Sequence, residues 1–268
     1  MTRACLTFDF DATAIWQSTF RQTSPTPISR GEYGANLGVQ RILDLLKKYE
    51  AKATFFVPIH SLRSFPGQVE QICAGGHEIG VHGLAHESPV GLTPEKEEEN
   101  LLLSIEALQS FTGVRPVGYR SPAWDLSPDS IRLLEKTGFL YDSSLMGGDY
   151  HPYYPALSYE ISDEKFTKGT PSKIIEFPVA WDLDDFPYFH FSWKPISQGL
   201  RKPSDVLEIW KGEFDCASEV NGLFNLTCHP EVIGRMPRIK MMDQLMQHIE
   251  KTGASFCTLS SAVDKVRI

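Results

Sequence analysis

The 268-residue sequence predicts an α/β protein of barrel-like architecture, built as a single domain over residues 1–268. Three observations predict it. Short β-type runs recur at 3–8, 53–57, 78–81, 117–119, 139–141, 173–179, 223–228 and 255–258, mostly with room for a helix between them, which is the rhythm of parallel βα units. The intervening segments carry apolar residues at helical spacing behind helix-start residues. No internal repeat and no Pro/Ser-rich linker divides the chain.

Taken in order, the first run leads into Asp9 and Asp11. Residues 37–49 then place Val39, Ile42, Leu43, Leu45 and Leu46 on one helical face. Pro94 followed by Glu95, Glu97 and Glu98 reads as the solvated, dipole-matched first turn of a helix running to about Phe111. Ser127-Pro128-Asp129 and Pro203-Ser204-Asp205 open helices over 131–136 and 206–217, and Gly138 and Gly253 sit where helices stop. Three stretches, 12–33, 145–169 and 181–201, are too long for ordinary connections and too rich in aromatic residues such as Tyr150, Tyr153, Phe186 and Phe189 for disorder. They are expected to be ordered loops built over a site.

Composition narrows the function. With 41% hydrophobic residues, including five Trp and sixteen Phe, the chain can bury a large core. Its 26 Lys and Arg against 34 Asp and Glu give a net charge of −8, which disfavours nucleic acid and anionic membranes as partners. The sequence has no apolar run of about 18 residues and no leader-like start, so a cytoplasmic location is expected. Cys5, Cys73, Cys216, Cys228 and Cys257 are odd in number and form no C-x-x-C pair, so they read as buried thiols.

Four groups carry chemistry. Asp9 and Asp11, at i and i+2 on a strand end, can converge on one face, and two such carboxylates need a cation or an arginine between them. His82 and His86, at i and i+4 after the run 78–81, share a face if the segment turns helical there, and can then share a metal. Arg120, in Tyr119-Arg120-Ser121-Pro122-Ala123-Trp124, can hold one aspartate ionised and oriented. His229, before Pro230 at the end of a late apolar strand, is a candidate general acid. Asp182, Asp184 and Asp185 suggest a second metal only weakly; helix capping or pairing across an interface is the favoured reading. His60, His77, His151, His190 and His248 read as structural, with His151 and His190 lying in the long loops.

The motifs T-F-D-x-D, A-T-F-F-V at 53–57, G-H-E-I-G-x-H-x-x-x-H at 76–86, Y-R-S-P at 119–122, Y-D-S-S at 141–144 and C-H-P at 228–230 together resemble the polysaccharide deacetylase family, also called the NodB-homology or carbohydrate esterase 4 fold. The resemblance implies a distorted (β/α) barrel with fewer than eight regular units. It implies Asp11, His82 and His86 as ligands of a divalent metal, zinc first and cobalt, nickel or manganese as alternatives. It further implies Asp9 as catalytic base paired with Arg120, and His229 as catalytic acid. Phe10 separates the two aspartates where the family has them adjacent, and R-S-P-A-W replaces R-x-P-Y-G, so base and ligand roles stay open between Asp9 and Asp11. These departures are similar to a subgroup of intracellular deacetylase-like, allantoinase-like and cyclic imide-hydrolysing proteins. The resemblance implies amide-bond chemistry there, often in tetramers and in some members without the metal.

The expected reaction is hydrolysis of a non-peptide C–N bond by metal-activated water, with Asp9 taking the water proton, His229 protonating the leaving nitrogen, and a backbone N–H near Ala123 or Trp124 helping to hold the oxyanion. A small amide, cyclic imide or ureide is the first expected substrate, and an N-acetylated sugar of the peptidoglycan or chitin type is the alternative. A non-catalytic binding protein is the reading of another class, which the presence of all six polar groups disfavours. Aromatic loops also suggest a homo-oligomer, a dimer or tetramer.

Overall fold

The structure, a computed structural model, describes residues 2–193 and 196–266. In chain order the strands are β1 (Arg3–Asp9), β2 (Thr54–Val57), β3 (Glu78–Val81), β4 (Gly118–Tyr119), β5 (Tyr141–Asp142), β6 (Tyr159–Ile161), β7 (Phe166–Lys168), β8 (Ile175–Glu176), β9 (Phe191–Trp193), β10 (Ile196–Gln198), β11 (Leu223–Cys228) and β12 (Ser255–Phe256). The helices are α1 (Ala14–Ser18), α2 (Pro25–Tyr33), α3 (Val39–Lys48), α4 (Ile59–Ser64), α5 (Pro66–Ala74), α6 (Pro94–Thr112), α7 (Ser130–Thr137), α8 (Asp185–Phe189), α9 (Pro203–Glu219), α10 (Pro230–Ile233), α11 (Met236–Lys251) and α12 (Leu259–Val263). No helix among the described residues is long and apolar enough to cross a membrane.

Eight strands form one sheet in the order β11-β1-β2-β3-β4-β5-β8, with β12 also on β1. Its pairings are all parallel, and each of its strands falls within or beside one of the eight sequence runs. The sheet curls into a distorted half-barrel. A single parallel bridge, Asp184 to Thr227, and the Asn225 amide donating to Pro178 O (2.9 Å) bring the chain after β8 back towards β11. Strands β6/β7 and β9/β10 are separate antiparallel hairpins.

Alternation along β1 sorts its side chains. Ala4, Leu6 and Phe8 join the large core beneath the helices, with Val39, Ile42, Leu46, Leu101, Leu108, Trp210 and Leu245. Cys5 joins a second cluster with Phe56, Tyr141, Phe177 and Leu259 on the other side of the sheet. Thr7 and Asp9 follow Cys5 on that inner side, so the barrel interior is apolar at its floor and becomes polar towards the carboxyl ends of the strands, where open α/β sheets and barrels place their sites.

The helix grammar holds with two amendments. Helix α6 starts at Pro94, with Thr93 accepting from Lys96 N (3.3 Å), and stops at Gly113 in the left-handed region; α7 stops at Gly138 (φ 84°). Glu97, however, is buried and accepts from the hydroxyls of Ser127 and Ser130, fastening α7 onto α6, so this acid of the first turn is not solvated. Helix α3 starts at Val39, because residues 34–38 form a π-helical turn. There the backbone of α10 lies so close that a Cβ on Gly38 would sit 2.2 Å from Pro230 O, and one on Gly34 2.8 Å from Glu231 N.

The cysteines also differ from expectation. Cys5 and Cys228 are buried, but Cys73 and Cys257 are only partly so, and Cys216 is exposed on α9. All five are free thiols. The segment 145–169 does not cover the carboxyl end of the barrel. Tyr153 pairs with Glu176 in an antiparallel bridge, and Tyr150 O accepts from Leu223 N (2.8 Å) at the start of β11, which draws the segment along the edge towards the amino ends of the strands.

Gly38→Ala is expected to destabilise the protein by about 1–3 kcal/mol, because the added methyl must push α10 away from α3. Urea denaturation measures this, and an unchanged midpoint would contradict the close approach.

Candidate active site

Six polar side chains converge at the carboxyl end of the barrel. Arg120, just past β4, is completely buried, and its charge is matched at every side. Its Nε donates to Ser143 O (2.9 Å), Nη2 to Ser143 Oγ (2.9 Å), and Nη1 to both Thr7 Oγ1 and Asp9 Oδ1 (2.8 Å each). The guanidinium lies 4.3 Å over the Phe56 ring. Asp9 is thereby held by one oxygen, while Oδ2 faces His82 Nε2 and His229 Nε2, each at 3.8 Å.

Asp11 lies two residues further on, past the strand end. Its Oδ1 is 3.4 Å from His82 Nε2 and its Oδ2 3.4 Å from His86 Nε2. Burial alone would raise the pKa of this carboxyl; in the absence of a cation, positive charge on His86 and His82 outweighs burial and holds it well below the usual carboxylate range. The segment carrying the histidines is a turn, not the helix expected from the i, i+4 spacing. Gly83 at φ 76° and His86 at φ 64° break any helix, and Glu87 closes the turn by accepting from Leu84 N (3.1 Å) and Ala85 N (2.6 Å).

The ring hydrogen bonds set the tautomers. His82 Nδ1 donates to Arg120 O (2.7 Å), which leaves its Nε2 lone pair facing Asp11. The Thr19 hydroxyl donates to His86 O (3.2 Å) and can accept from His86 Nδ1 (2.7 Å), with the same result. Two bare imidazole nitrogens and a buried carboxylate with no donor to either oxygen among the described residues are the donor set of a divalent-cation site.

His229 sits at the end of β11, opposite the histidine turn. Its Nδ1 is 2.7 Å from Asp185 Oδ1, and the same carboxylate accepts from His229 N. Burial disfavours the imidazolium, but Asp184 and Asp185 overcome this and raise its pKa well above the ordinary histidine value. Asp184 caps α8 by accepting from Phe186 N (2.8 Å), as the capping reading expected, whereas Asp182 is exposed. Asp185 is the residue that sequence reasoning missed. Asp184, Asp185 and His229 also cluster closely enough to hold an ion, but the hydrogen bonds from His229 already account for the Asp185 carboxylate. Glu231, likewise unforeseen, is buried near Asp11 without a donor among the described residues, and burial followed by the charge of Asp11 pushes it up to about 8.

Ala123 and Trp124 both lie in the left-handed region, at φ 54° and 56°, and both line the site. Trp124 N–H is engaged by Ser121 O (3.0 Å), which leaves Ala123 as the candidate oxyanion donor of the two. The cavity above the carboxylates has a volume of about 240 Å³, walled by Ile15, Phe20, Trp124, Trp181 and Phe186. Two of the three long stretches supply most of that wall; 145–169 supplies none of it. His190, buried, backs the wall by stacking on Phe186 (4.0 Å) and Phe20 (5.6 Å), while His151 is exposed. A larger cleft of about 440 Å³, lined by His77, Arg115 and Thr258 among others, holds none of these residues.

Beneath the Arg120 segment lies a buried carboxyl pair, Asp142 and Glu176, in register on β5 and β8. Ser144 links them to the site: its hydroxyl donates to Asp142 Oδ1 (2.7 Å) and accepts from Ser121 N (2.8 Å), while its N–H donates to Glu176 Oε1 (2.9 Å). Burial pushes Asp142 up to about 6, and burial together with the charge of Asp142 raises Glu176 well above its ordinary value. The pair therefore holds a proton more tightly than exposed carboxyls do.

Comparison with known proteins identifies the family. Residues 31–141 match the family model described as polysaccharide deacetylase. The chain is 36% identical to the peptidoglycan deacetylase of Helicobacter pylori over 96% of its own length and 93% of that protein. It is 29% identical to a peptidoglycan deacetylase-like protein of Gibberella zeae over 91% and 80% of the two chains. Among solved structures, a Mycobacterium smegmatis protein assigned to the polysaccharide deacetylases superposes with a TM-score of 0.88 at 33% identity, covering 99% of this chain and 90% of that one. An allantoinase superposes with a TM-score of 0.79 at 23% identity, covering 98% and 89%, which is a likeness of fold.

Thr19→Val removes the partner of His86 Nδ1 and is expected to weaken zinc binding about 10- to 100-fold, read by competition with a chromophoric chelator. The carboxyl pair predicts a pH dependence of stability. Acids whose pKa is raised on folding stabilise fully below their unfolded value, near 4, and lose that contribution as pH rises through about 6. The melting temperature is expected to fall between pH 5 and pH 8, and Glu176→Gln, which mimics the protonated acid, to flatten that fall; an equally steep profile in the variant would refute the shared proton.

Proposed function

Because the chain belongs to the polysaccharide deacetylase family, and is thus a hydrolase of non-peptide C–N bonds, we propose that it removes the acetyl group from an N-acetylated amino sugar of the peptidoglycan type. The observation that carries this reading is the likeness to the Helicobacter pylori peptidoglycan deacetylase along nearly the whole chain, which moves the preference away from the small amide or imide expected first. Asp11, His82 and His86 are assigned as the metal ligands, Asp9 as the base and His229 as the acid.

These ligands would hold a divalent cation, zinc or one of cobalt, nickel and manganese, which would supply Lewis acidity to the attacking water and to the acetyl carbonyl. The protein's own groups do the rest. Asp9 Oδ2, free because Arg120 holds Oδ1, takes the proton as the water oxygen bonds to the carbonyl carbon. Ala123 N–H is assigned to the developing oxyanion. His229, with Nδ1 fixed by Asp185, presents Nε2 to the opposite side and gives a proton to the amide nitrogen as the C–N bond breaks. Acetate and a free amine result.

The cavity favours a second reading. A volume of about 240 Å³ under an aromatic wall accepts an acetamido group and part of a sugar ring, but it fits a small cyclic imide or ureide whole. Purified protein loaded with zinc is expected to release acetate from N-acetylglucosamine oligomers or peptidoglycan; ring opening of succinimide or allantoin with no acetate release would overturn the deacetylase reading in favour of the second. Loss of all these activities on chelation, and return with added cation, tests the metal assignment. Asp185→Asn is expected to lower kcat on the order of 10²- to 10⁴-fold with KM little changed, because the proton donor loses its orientation but the substrate contacts stay.

A further inference from the structure

At the floor of the barrel, opposite the site, β12 lies beside β1 with Arg3 opposite Ser255 and Ala4 opposite Phe256. The register continues by one step, since Cys257 N donates to Ala4 O (3.1 Å), and this sets Cys5 and Cys257 side by side. Their sulfurs are 3.5 Å apart. Neighbouring parallel strands hold Cα atoms about 4.8 Å apart, inside the range that a disulfide spans, and a bond of about 2.05 Å needs only small side-chain rotations from this start. Cys5 is completely buried, whereas Cys257 is partly open to solvent.

We propose that Cys257 and Cys5 are a thiol-modification site, in which Cys257 reacts with a small-molecule disulfide and Cys5 resolves the product into a Cys5–Cys257 bond. The two sulfurs are suited to unlike roles. The Cys5 thiol hydrogen-bonds to Cys257, and this, with the positive charges of Arg3 and Lys265, lowers the Cys257 pKa despite burial; burial pushes Cys5 up. In the first step the Cys257 thiolate attacks one sulfur of the disulfide, forming a mixed disulfide and expelling one thiolate. In the second, Cys5 gives up its proton and attacks Cys257 Sγ, expelling the second thiolate. Two protein thiols are oxidised and one external disulfide is reduced to two thiols. The product links residues separated by 252 positions, tying the first strand to the segment that leads into α12.

The test incubates the purified full chain with oxidised glutathione, blocks remaining thiols by alkylation and maps the peptides by mass spectrometry. The expected result is a crosslink between the peptides bearing Cys5 and Cys257, equivalent to the loss of two hydrogens and reversed by dithiothreitol. Exposed Cys216 is expected to form a glutathione adduct in the same sample, which shows that the oxidant acted. An adduct on Cys216 with no crosslink, or an adduct that accumulates on Cys257 in the unaltered protein, overturns the proposal. Cys5→Ser is expected to trap glutathione on Cys257. Should that variant not fold, Cys257→Ser, at the more open position, carries the test: Cys5 must then stay unmodified in the folded protein, and an adduct on it would overturn the assignment of Cys257 as the reacting thiol.

Discussion

The buried guanidinium of Arg120 is the group around which the carboxyl end of this barrel is organised. Removing such a charge from water costs several kcal/mol unless it is compensated, and here each of its three nitrogens donates, to two oxygens of Ser143, the hydroxyl of Thr7 and a carboxylate oxygen of Asp9, with the Phe56 ring against its face. These partners come from β1, β2 and the end of β5, so the geometry of three strands is tied to one side chain. The main chain of the same residue takes part as well, because Arg120 O fixes the tautomer of His82. One residue therefore orients the assigned base and one assigned ligand together, through different atoms.

The two aspartates of the first strand end show how position decides chemistry. They lie two residues apart with similar burial, yet one is bonded to a guanidinium and the other faces only imidazoles. A carboxylate with a fixed cationic partner keeps one oxygen engaged and the other directed, which suits proton transfer. One without any donor has both oxygens left for a cation. The same contrast is the basis for assigning Asp9 as base and Asp11 as ligand across the inserted Phe10, whose side chain turns into the main core and lets the two aspartates share the inner side.

Much of the fold was legible because parallel strands buried on both faces write themselves as apolar runs, and all eight could be placed. Helix starts and stops were legible where proline, acidic residues and left-handed glycines mark them. The histidine turn was not, because i, i+4 spacing cannot distinguish a helix from a turn carrying a left-handed glycine at its second position. Asp185 was hidden for a different reason: its role depends on a loop returning to a strand more than forty positions away, and no local pattern records that pairing. The segment 145–169 was misplaced because aromatic content signals order but not which end of a barrel the order serves.

The order in which the chain supplies the site has a kinetic meaning. Asp9, Asp11, His82 and His86 all lie in the first third of the sequence and are brought together by β1, β2 and β3. His229 arrives only when β11 docks on β1, across more than two hundred residues. Contacts of such separation form slowly, since the closure entropy of the intervening chain must be overcome before they reward the fold. During synthesis the residues assigned to the cation therefore leave the ribosome well before the assigned proton donor, so the two sides of the site enter folding at different times.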